Sequence, residues 1–511
     1  MKDYEVIKNA YYDSVTLMST TVSIKKALKL KDLVMFMGTD MNKDMMDSVG
    51  LYHKKFNDAT PNDLLIGVDM NEAIDGWVDQ VLDKLNNKDM KSQDDTKTTY
   101  KTISQAKQAK DSNIAIISVP GIYAANEAYK ALENNMHVML FSDNVSVKDE
   151  IGLKDLAIKK DLLLMGPDCG TAIINGKGLC FANQVNRGSI GLVAASGTGL
   201  QEVTVIIDRF GGGISQAIGV GGRDLSEAVG GKMMLKSIDA LSEDDETKVI
   251  VLISKPPHQT VLDKILSKIK SVNKPVVVCL LDAVVDETLK DVHFVSTLTE
   301  AAQKALALSD IKTPNLMAID EETKRLIDKE CALKNKSQNK IKGLFCGGTL
   351  TAETLSVLRV KVGNITSNVA KKKEEKMYDP MISSGHNLVD LGDDVFTQGK
   401  PHPMIEPMIR LDRIIEEAKN PETSVILLDF ELGLGSHEDP VGVTIETIDE
   451  AINIAKKDQR HLSFVAYVCG TDKDQQNLEK SEALLKAHDV IIAKTNAHAA
   501  LIAAEIVGGS K

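Results

Sequence analysis

Twice in this chain a short apolar run breaks into a loop of small residues and then into a helical pattern. The first copy is Gly191-Leu-Val-Ala-Ala-Ser-Gly-Thr-Gly-Leu-Gln-Glu202 and the second is Gly343-Leu-Phe-Cys-Gly-Gly-Thr-Leu-Thr-Ala-Glu353. Behind each comes a second apolar run introduced by Glu-Thr, at Glu246–Ile253 and Glu422–Asp429. A third follows, at Lys274–Asp282 and Leu462–Thr471. The shared order reads as an internal duplication. Unbroken Val/Ile/Leu runs that alternate with helical stretches are the mark of parallel strands buried on both faces and joined by crossover helices.

Further runs fit the same class: Asn113–Val119, His137–Phe141, Leu162–Met165, Ile190–Ala194, Lys248–Ile253, Pro275–Leu281, Lys342–Phe345, Ser424–Asp429 and Ser463–Val468. The chain therefore reads as a multidomain α/β protein. Aromatic residues make up 4% of the 511 residues, so aliphatic side chains, Met and Ala must fill the core. Residues 1–100 differ in pattern. Strand-like pieces at Ser14–Met18, Leu33–Met37 and Leu64–Val68 flank helical segments and predict a small α/β module. The polar stretch Asn86–Lys101 predicts a linker, and a second boundary is expected near Asp310–Lys340, where a charged helical segment leads into a polar run.

A net charge of −12 argues against general affinity for nucleic acid or acidic membrane surfaces. The six cysteines (Cys169, Cys180, Cys279, Cys331, Cys346, Cys469) show no CxxC spacing, which fits reduced thiols rather than a disulfide framework or a metal site. The N-terminus lacks a charged-then-apolar signal pattern, and no apolar run approaches the ~18 residues of a membrane span. The expectation is a soluble, cytoplasmic protein.

Both small-residue loops leave free backbone N–H groups at a helix start, beside the positive end of the helix dipole. Glycine lets an anion approach, and Ser196, Thr198 and Thr349 add hydroxyls, so phosphate or carboxylate is the natural ligand. The candidate phosphate-binding residues are Ser196, Gly197, Thr198 and Gly199 in one loop and Gly347, Gly348 and Thr349 in the other. A tight turn capped by a hydroxyl is the alternative reading of either loop. Neither is a Walker A motif. In the second glycine-rich cluster, Gly211–Asp224, Arg223 is either an anion clamp or one half of a structural ion pair.

The segments Gly166-Pro-Asp-Cys-Gly-Thr-Ala-Ile-Ile-Asn-Gly176, Ala194-Ala-Ser-Gly-Thr-Gly-Leu-Gln-Glu-Val203 and Gly219-Val-Gly-Gly-Arg-Asp-Leu225 resemble the FdrA family, relatives of succinyl-CoA synthetase. Tyr12–Met18, His386–Asp394, Phe396–Met404, Gly433–Pro440 and Cys469–Asp472 extend the resemblance over nearly the whole chain. It implies a small N-terminal module at 1–100 and a Rossmann-like CoA-binding-type domain at 101–187. It further implies two flavodoxin-like ligase-type domains, at 188–325 and 326–511. Asp168, Cys169 and Gly170 then stand where the synthetase α subunit carries its Gly-Pro-Asn-Cys segment, as another candidate pocket.

The departures from that family bear on function. Synthetases relay phosphate through a histidine in a Gly-His-Ala-Gly segment; here the corresponding stretch, Asp282–Thr288, holds no histidine. His258 and His437 are the nearest candidates for proton or group transfer, with Arg223 as a charge clamp. No ATP-grasp domain is evident. The resemblance implies a subunit of an oxamate carbamoyltransferase in ureide breakdown, taking oxalurate and phosphate to oxamate and carbamoyl phosphate. Such a subunit works with partner proteins in an oligomer, on a small-molecule substrate, with phosphate or carbamoyl phosphate as ligand, no certain cofactor, and CoA binding left open. The alternatives are a CoA-ligase component served by a separate nucleotide-binding subunit, or an assembly subunit that binds a phosphate-bearing effector.

The C-terminal half gathers His386, Asp390, Asp393, Asp394, His402, Glu406, His437, Glu438 and Asp439. A metal site is one reading, but the spacing lacks the helical HxxxH pattern, and loop-fixing or interface roles are the plainer expectation. Asp13-Ser14 reads as a helix cap, and Cys169 as either a reactive thiol or a small buried residue.

Overall fold

The computed structural model describes residues 1–10, 12, 17, 20, 21, 24, 25, 27–90, 99–283, 288–397 and 401–508. They form two compact units, 1–99 and 100–511.

In the first unit, β1 (Lys2–Ile7), β2 (Asp32–Met37) and β3 (Leu64–Asp69) make an antiparallel sheet in the order β1-β3-β2. Every residue of β3 is buried because the central strand is covered on both faces. Leu33, Met35, Met37, Ile66 and Trp77 fill one apolar cluster, and Met46, Phe56, Ala59 and Leu65 fill the other. The expected strand at Ser14–Met18 and the cap at Asp13-Ser14 lie outside the described residues, save for buried Leu17. The helix Trp77–Met90 runs into the stretch expected to be a linker, whose residues 91–98 are also outside the described set.

The second unit holds three sheets. β4 (Ile114–Ile117), β5 (His137–Leu140) and β6 (Leu164–Met165) form a small parallel sheet in chain order. The next seven strands are β7 (Thr171–Ile174), β8 (Lys177–Cys180), β9 (Arg187–Ala194), β10 (Ile214–Gly219), β11 (Val249–Ser254), β12 (Val276–Leu280) and β13 (Val292–Val295). They are ordered β13-β12-β11-β9-β10-β7-β8. The third sheet comprises β14 (Lys340–Phe345), β15 (Ile365–Ser367), β16 (His386–Asp390), β17 (Thr423–Glu431), β18 (Ser463–Cys469) and β19 (Val490–Ile492), ordered β15-β16-β14-β17-β18-β19 and parallel throughout. The duplication is visible in these orders: β10-β9-β11-β12-β13 matches β16-β14-β17-β18-β19. β11, β12, β17 and β18 are buried at every residue, which accounts for their unalternating sequences. The α/β class with parallel sheets is as the sequence reads.

In both repeats the order reverses beside the first strand, and there a helix begins: Gly197–Arg209 after β9 and Gly348–Val362 after β14. Ligands of open α/β sheets bind at such switch points. The two repeats share one continuous core, in which Leu200, Val203, Ile206 and Leu306 pack with Leu350, Leu358, Ala500 and Ala504. Each of the buried Leu, Val and Ile side chains contributes about 1.5–3 kcal/mol relative to exposure.

The repeats also cap one another. Glu353 accepts the Leu298 N–H at 2.6 Å, at the start of helix Leu298–Leu308 in the first repeat. Glu202 accepts the Asn496 N–H at 3.2 Å, at the start of helix Asn496–Val507 in the second. Asn496 Nδ2 reaches Glu353 at 2.7 Å, and Thr299 Oγ1 donates to Thr495 Oγ1 at 2.9 Å. Burial raises both glutamates above the usual carboxylate range, and the Glu353 charge adds to the effect on Glu202.

Candidate functional site

The helix starts at Gly197 and Gly348 meet. Ser196, the N-cap of the first, accepts the Gly199 N–H at 3.0 Å and donates its own hydroxyl to Thr349 Oγ1 at 2.6 Å. Gly347, the N-cap of the second, has no side chain with which to cap it. A Cβ on Gly347 would stand 2.8 Å from Thr198 Cγ2, so glycine is what lets the two loops close up. Gly197 lies against Thr171 and Gly170, which brings the Asp168–Gly170 segment to the same place. All the expected phosphate-loop residues thus converge.

The residues at corresponding strand ends differ in charge between the two repeats. At the second, Asp429 accepts the N–H of Cys346 at 2.8 Å and of Gly347 at 3.2 Å. Asp390 closes over Gly348: a Cβ there would lie 2.5 Å from Asp390 Oδ2 and 3.3 Å from Lys255 Nζ. Glu431 is buried two residues beyond Asp429. The first start has neutral or cationic counterparts. Ladder partners show the correspondence: Gly219 pairs with Ala194 as Asp390 pairs with Phe345. Ile253, which pairs with Ala194, occupies the place of Asp429, and Lys255 that of Glu431. The carboxylates thus gather at the second helix start, where Lys255 of the first repeat also reaches, while Gly219 and Ile253 leave the corresponding positions of the first repeat without an acid.

Burial pushes the Asp390 carboxyl up to about 7, against the opposing pull of Lys255 and of the Gly392 N–H, which it accepts at 2.9 Å. Asp429 and Glu431 are also raised by burial, Glu431 the more strongly because the Asp429 charge adds to it. Donor atoms of Cys346, Asp429 and Glu431 lie within 4.8 Å of one another. The set does not fit a metal ion. Arg410 already supplies the cation at 3.2 Å from Asp429 Oδ1, while burial holds the Cys346 thiol protonated, well above its usual range.

Of the other expected site residues, Arg223 bonds the Val145 carbonyl at 2.7 Å and pairs with buried Glu150 at 3.0 Å. Its neighbour Asp224 pairs instead with Lys154, at 2.8 Å. Asp168 lies at the edge of the site, its carboxyl raised to about 6 chiefly by desolvation, with the Asp143 and Asp394 charges adding to the effect. Buried Cys169 is pushed up to about 12, which leaves an inert thiol. His258 precedes helix Gln259–Ile269, its ring on Thr260 at 3.0 Å and 3.8 Å from Glu227. His437 Nδ1 accepts the Asp439 N–H at 3.0 Å, and Gln476 holds its carbonyl. Neither ring has a hydrogen bond to the converging loops. The stretch expected to replace the relay histidine, Asp282–Thr288, lies outside the described residues at 284–287, and 398–400 within Phe396–Met404 are likewise outside.

His402 is the histidine that the fold brings in. Its ring lies 6.3 Å from Phe181 and would be 2.4 Å from a Cβ on Gly392. Burial lowers it to about 4, so the imidazole is neutral, and the Met404 N–H bonded to Nδ1 leaves the proton on Nε2. Lys255 was missed by the sequence reading, although its position as the residue after a buried strand was the available signal.

Comparisons with known proteins bear on this geometry. The chain is 46% identical over 98% of its length to the uncharacterized protein YahF of Escherichia coli K12, covering 98% of that protein as well. The chain belongs to the FdrA/YahF family of succinyl-CoA synthetase-like proteins. Within this FdrA/YahF chain, residues 344–506 match the CoA-ligase family, residues 185–280 the CoA binding domain, and residues 1–102 the AllF, heavy metal-associated domain. The succinate–CoA ligase [ADP-forming] subunit alpha of Aquifex aeolicus is 30% identical over 30% of the chain and 51% of its own length. A dinucleotide-forming acetyl-coenzyme A synthetase from Ca. Korarchaeum cryptofilum aligns over 80% of this chain and 85% of its own, at 13% identity and a TM-score of 0.34.

These matches correct the expectation of a transferase: the relatives of known class are CoA ligases, and the family is ligase-like. The transferase reading leaned on a missing histidine, whereas the ligase signature lies in the converging repeats themselves. The heavy-metal description does not fit the residues present. No cysteine precedes Cys169, and Met35, Met37, Met46 and Met70 are buried in the apolar clusters of the first unit or beside them, so the soft thiolate donors of a heavy-metal site are lacking. Among the described residues, no helix is long and apolar enough to cross a membrane.

Proposed function

We propose that this chain is the acyl-handling component of a CoA-ligase-type enzyme, and that phosphate or an acyl phosphate is the anion it holds. The observation that carries the reading is the meeting of two helix N-termini at Ser196 and Thr349, with Lys255 beside them. Backbone N–H groups, hydroxyls and one ammonium suit an oxyanion whose charge changes during acyl transfer. Binding and orientation are the work of these groups. Nucleotide would be bound by a partner subunit.

CoA supplies the thiol acceptor of such ligases. The residues that fit its phosphates are at helix Gly121–Glu133, which starts without a side-chain cap. Gly121 packs on the backbone of Asp143 and Asn144, and Arg223 bonds the next residue, Val145. The AllF match supports a setting in ureide breakdown. A second reading, a non-catalytic subunit that senses a phosphate-bearing effector, is favoured by one observation: His258 and His437 make no hydrogen bond to the loops.

Calorimetric titration with inorganic phosphate, acetyl phosphate, CoA and ATP tests the proposal. Binding of phosphate or acyl phosphate together with CoA is expected, with ATP bound only after a nucleotide-binding partner is added. Phosphate binding without CoA, and no activity with any partner, would favour the effector-sensing subunit. Absence of all binding would sink both.

A further inference from the structure

Resting on the reading of an anion site, we propose that Asp390 makes that site proton-dependent. The neutral carboxyl donates its O–H to the bound anion, and the ionised carboxylate repels the anion and takes Lys255 as its own counter-ion.

The geometry requires Asp390 to face the anion. Its Oδ2 sits over Gly348, the first residue of the second helix, and Lys255 Nζ lies beside the same point. Oδ1 is occupied by the Gly392 N–H, and Asn368 ties down the backbone on either side of the carboxylate. The acid is thus fixed with one oxygen aimed at the place where both helices begin. Thr349 and Ser196 bridge the gap from there to the first loop. The matching position in the first repeat is Gly219, which contributes no side chain.

The groups that face Asp390 set the balance. Lys255 comes from the end of β11, with Lys371 near it. Asp393 lies on its own loop, and Asp429 comes from β17, tied to Arg410. His402, against Gly392, is neutral. Two negative neighbours and burial disfavour a third negative charge, while Lys255 favours it, and the outcome is a carboxyl that titrates near neutrality, at about 7. An anion bound nearby adds a further negative charge and draws the proton on. By linkage, affinity must then fall as pH rises through the range where Asp390 loses its proton.

Sulfate is the probe of choice because it does not itself titrate between pH 6 and 8, unlike phosphate. For the full-length protein, sulfate affinity measured by calorimetry should fall about tenfold from pH 6 to pH 8, the loss expected for one required proton with a midpoint near 7. Asp390→Asn, neutral at every pH, should bind with a flat profile close to the wild-type value at pH 6. Lys255→Gln should bind more weakly across the range. A flat wild-type profile overturns the proposal without any variant being needed. So does a slope that survives in Asp390→Asn, or one abolished by Asp168→Asn, which removes another raised acid at the edge of the site. If neither sulfate nor phosphate binds at pH 6, the anion-site reading itself fails.

Discussion

The two repeats are alike in everything that packs and unlike in everything that carries charge. Both place a helix at the switch point of a parallel sheet, both begin it with small residues, and both contribute aliphatic side chains to one shared core. At the corresponding strand ends, however, the first repeat carries Gly219, Ile253 and Lys255 where the second carries Asp390, Asp429 and Glu431, and Lys255 reaches across to Gly348 of the second helix. Shape is cheap to preserve after duplication because any aliphatic of the right volume will serve. Charge at a helix start is what decides whether an external anion is admitted, and there the copies have parted.

The asymmetry can be broken most forcibly at Asp429. Asp429→Ala strands the Arg410 guanidinium and two backbone N–H groups in the interior. It should cost roughly 3–5 kcal/mol in urea unfolding, whereas the corresponding Ile253→Ala should cost about 2–5 kcal/mol as a plain cavity. The packing symmetry is sharpened by Leu200→Ala and Leu350→Ala. Both are fully buried and each should lose about 2–5 kcal/mol; a marked inequality would mean that one repeat dominates the core. Lys255→Glu, which copies the second repeat into the first, should weaken phosphate binding by on the order of a hundredfold, about 2–3 kcal/mol, with little change in melting temperature.

Smaller still is the cap: Ser196→Ala should lower stability by about 0.5–2 kcal/mol. Asp390 also makes stability depend on pH. Its carboxyl holds a proton in the folded state up to about 7 but releases it near 4 when unfolded. Folding therefore takes up a proton in that window, and the stability contributed falls as pH rises from about 4 to 7. Urea midpoints measured across it should decline less steeply for Asp390→Asn.

Much of this was legible in the residues. The repeated loop-and-helix pattern located both helix starts, and unalternating Val/Ile/Leu runs located the parallel strands. The charge asymmetry was not legible, because Lys255 and Asp390 are brought to the loops by register across adjacent strands, and spacing along the chain does not encode that. Arg223 could be read equally as an anion clamp or as a structural partner, and its contacts with Glu150 and Val145 are of the second kind. His402 looked like any loop histidine until Gly392 and Phe181 were seen around it. Cys169 was ambiguous until its burial was known.

The exchanged glutamates have a consequence for how such a chain comes to exist. Glu202 accepts the first N–H of a helix of the second repeat and Glu353 that of a helix of the first, so each repeat's last helix, capped by its own threonine, draws one further cap from the other repeat. Cleaved between them, in the segment at 310–340, the halves would be expected to stay incompetent apart and to regain structure only on mixing. Covalent joining then does more than keep two modules near each other: it guarantees each one a template at the moment of folding, at a fixed one-to-one ratio that separate subunits would have to secure through expression.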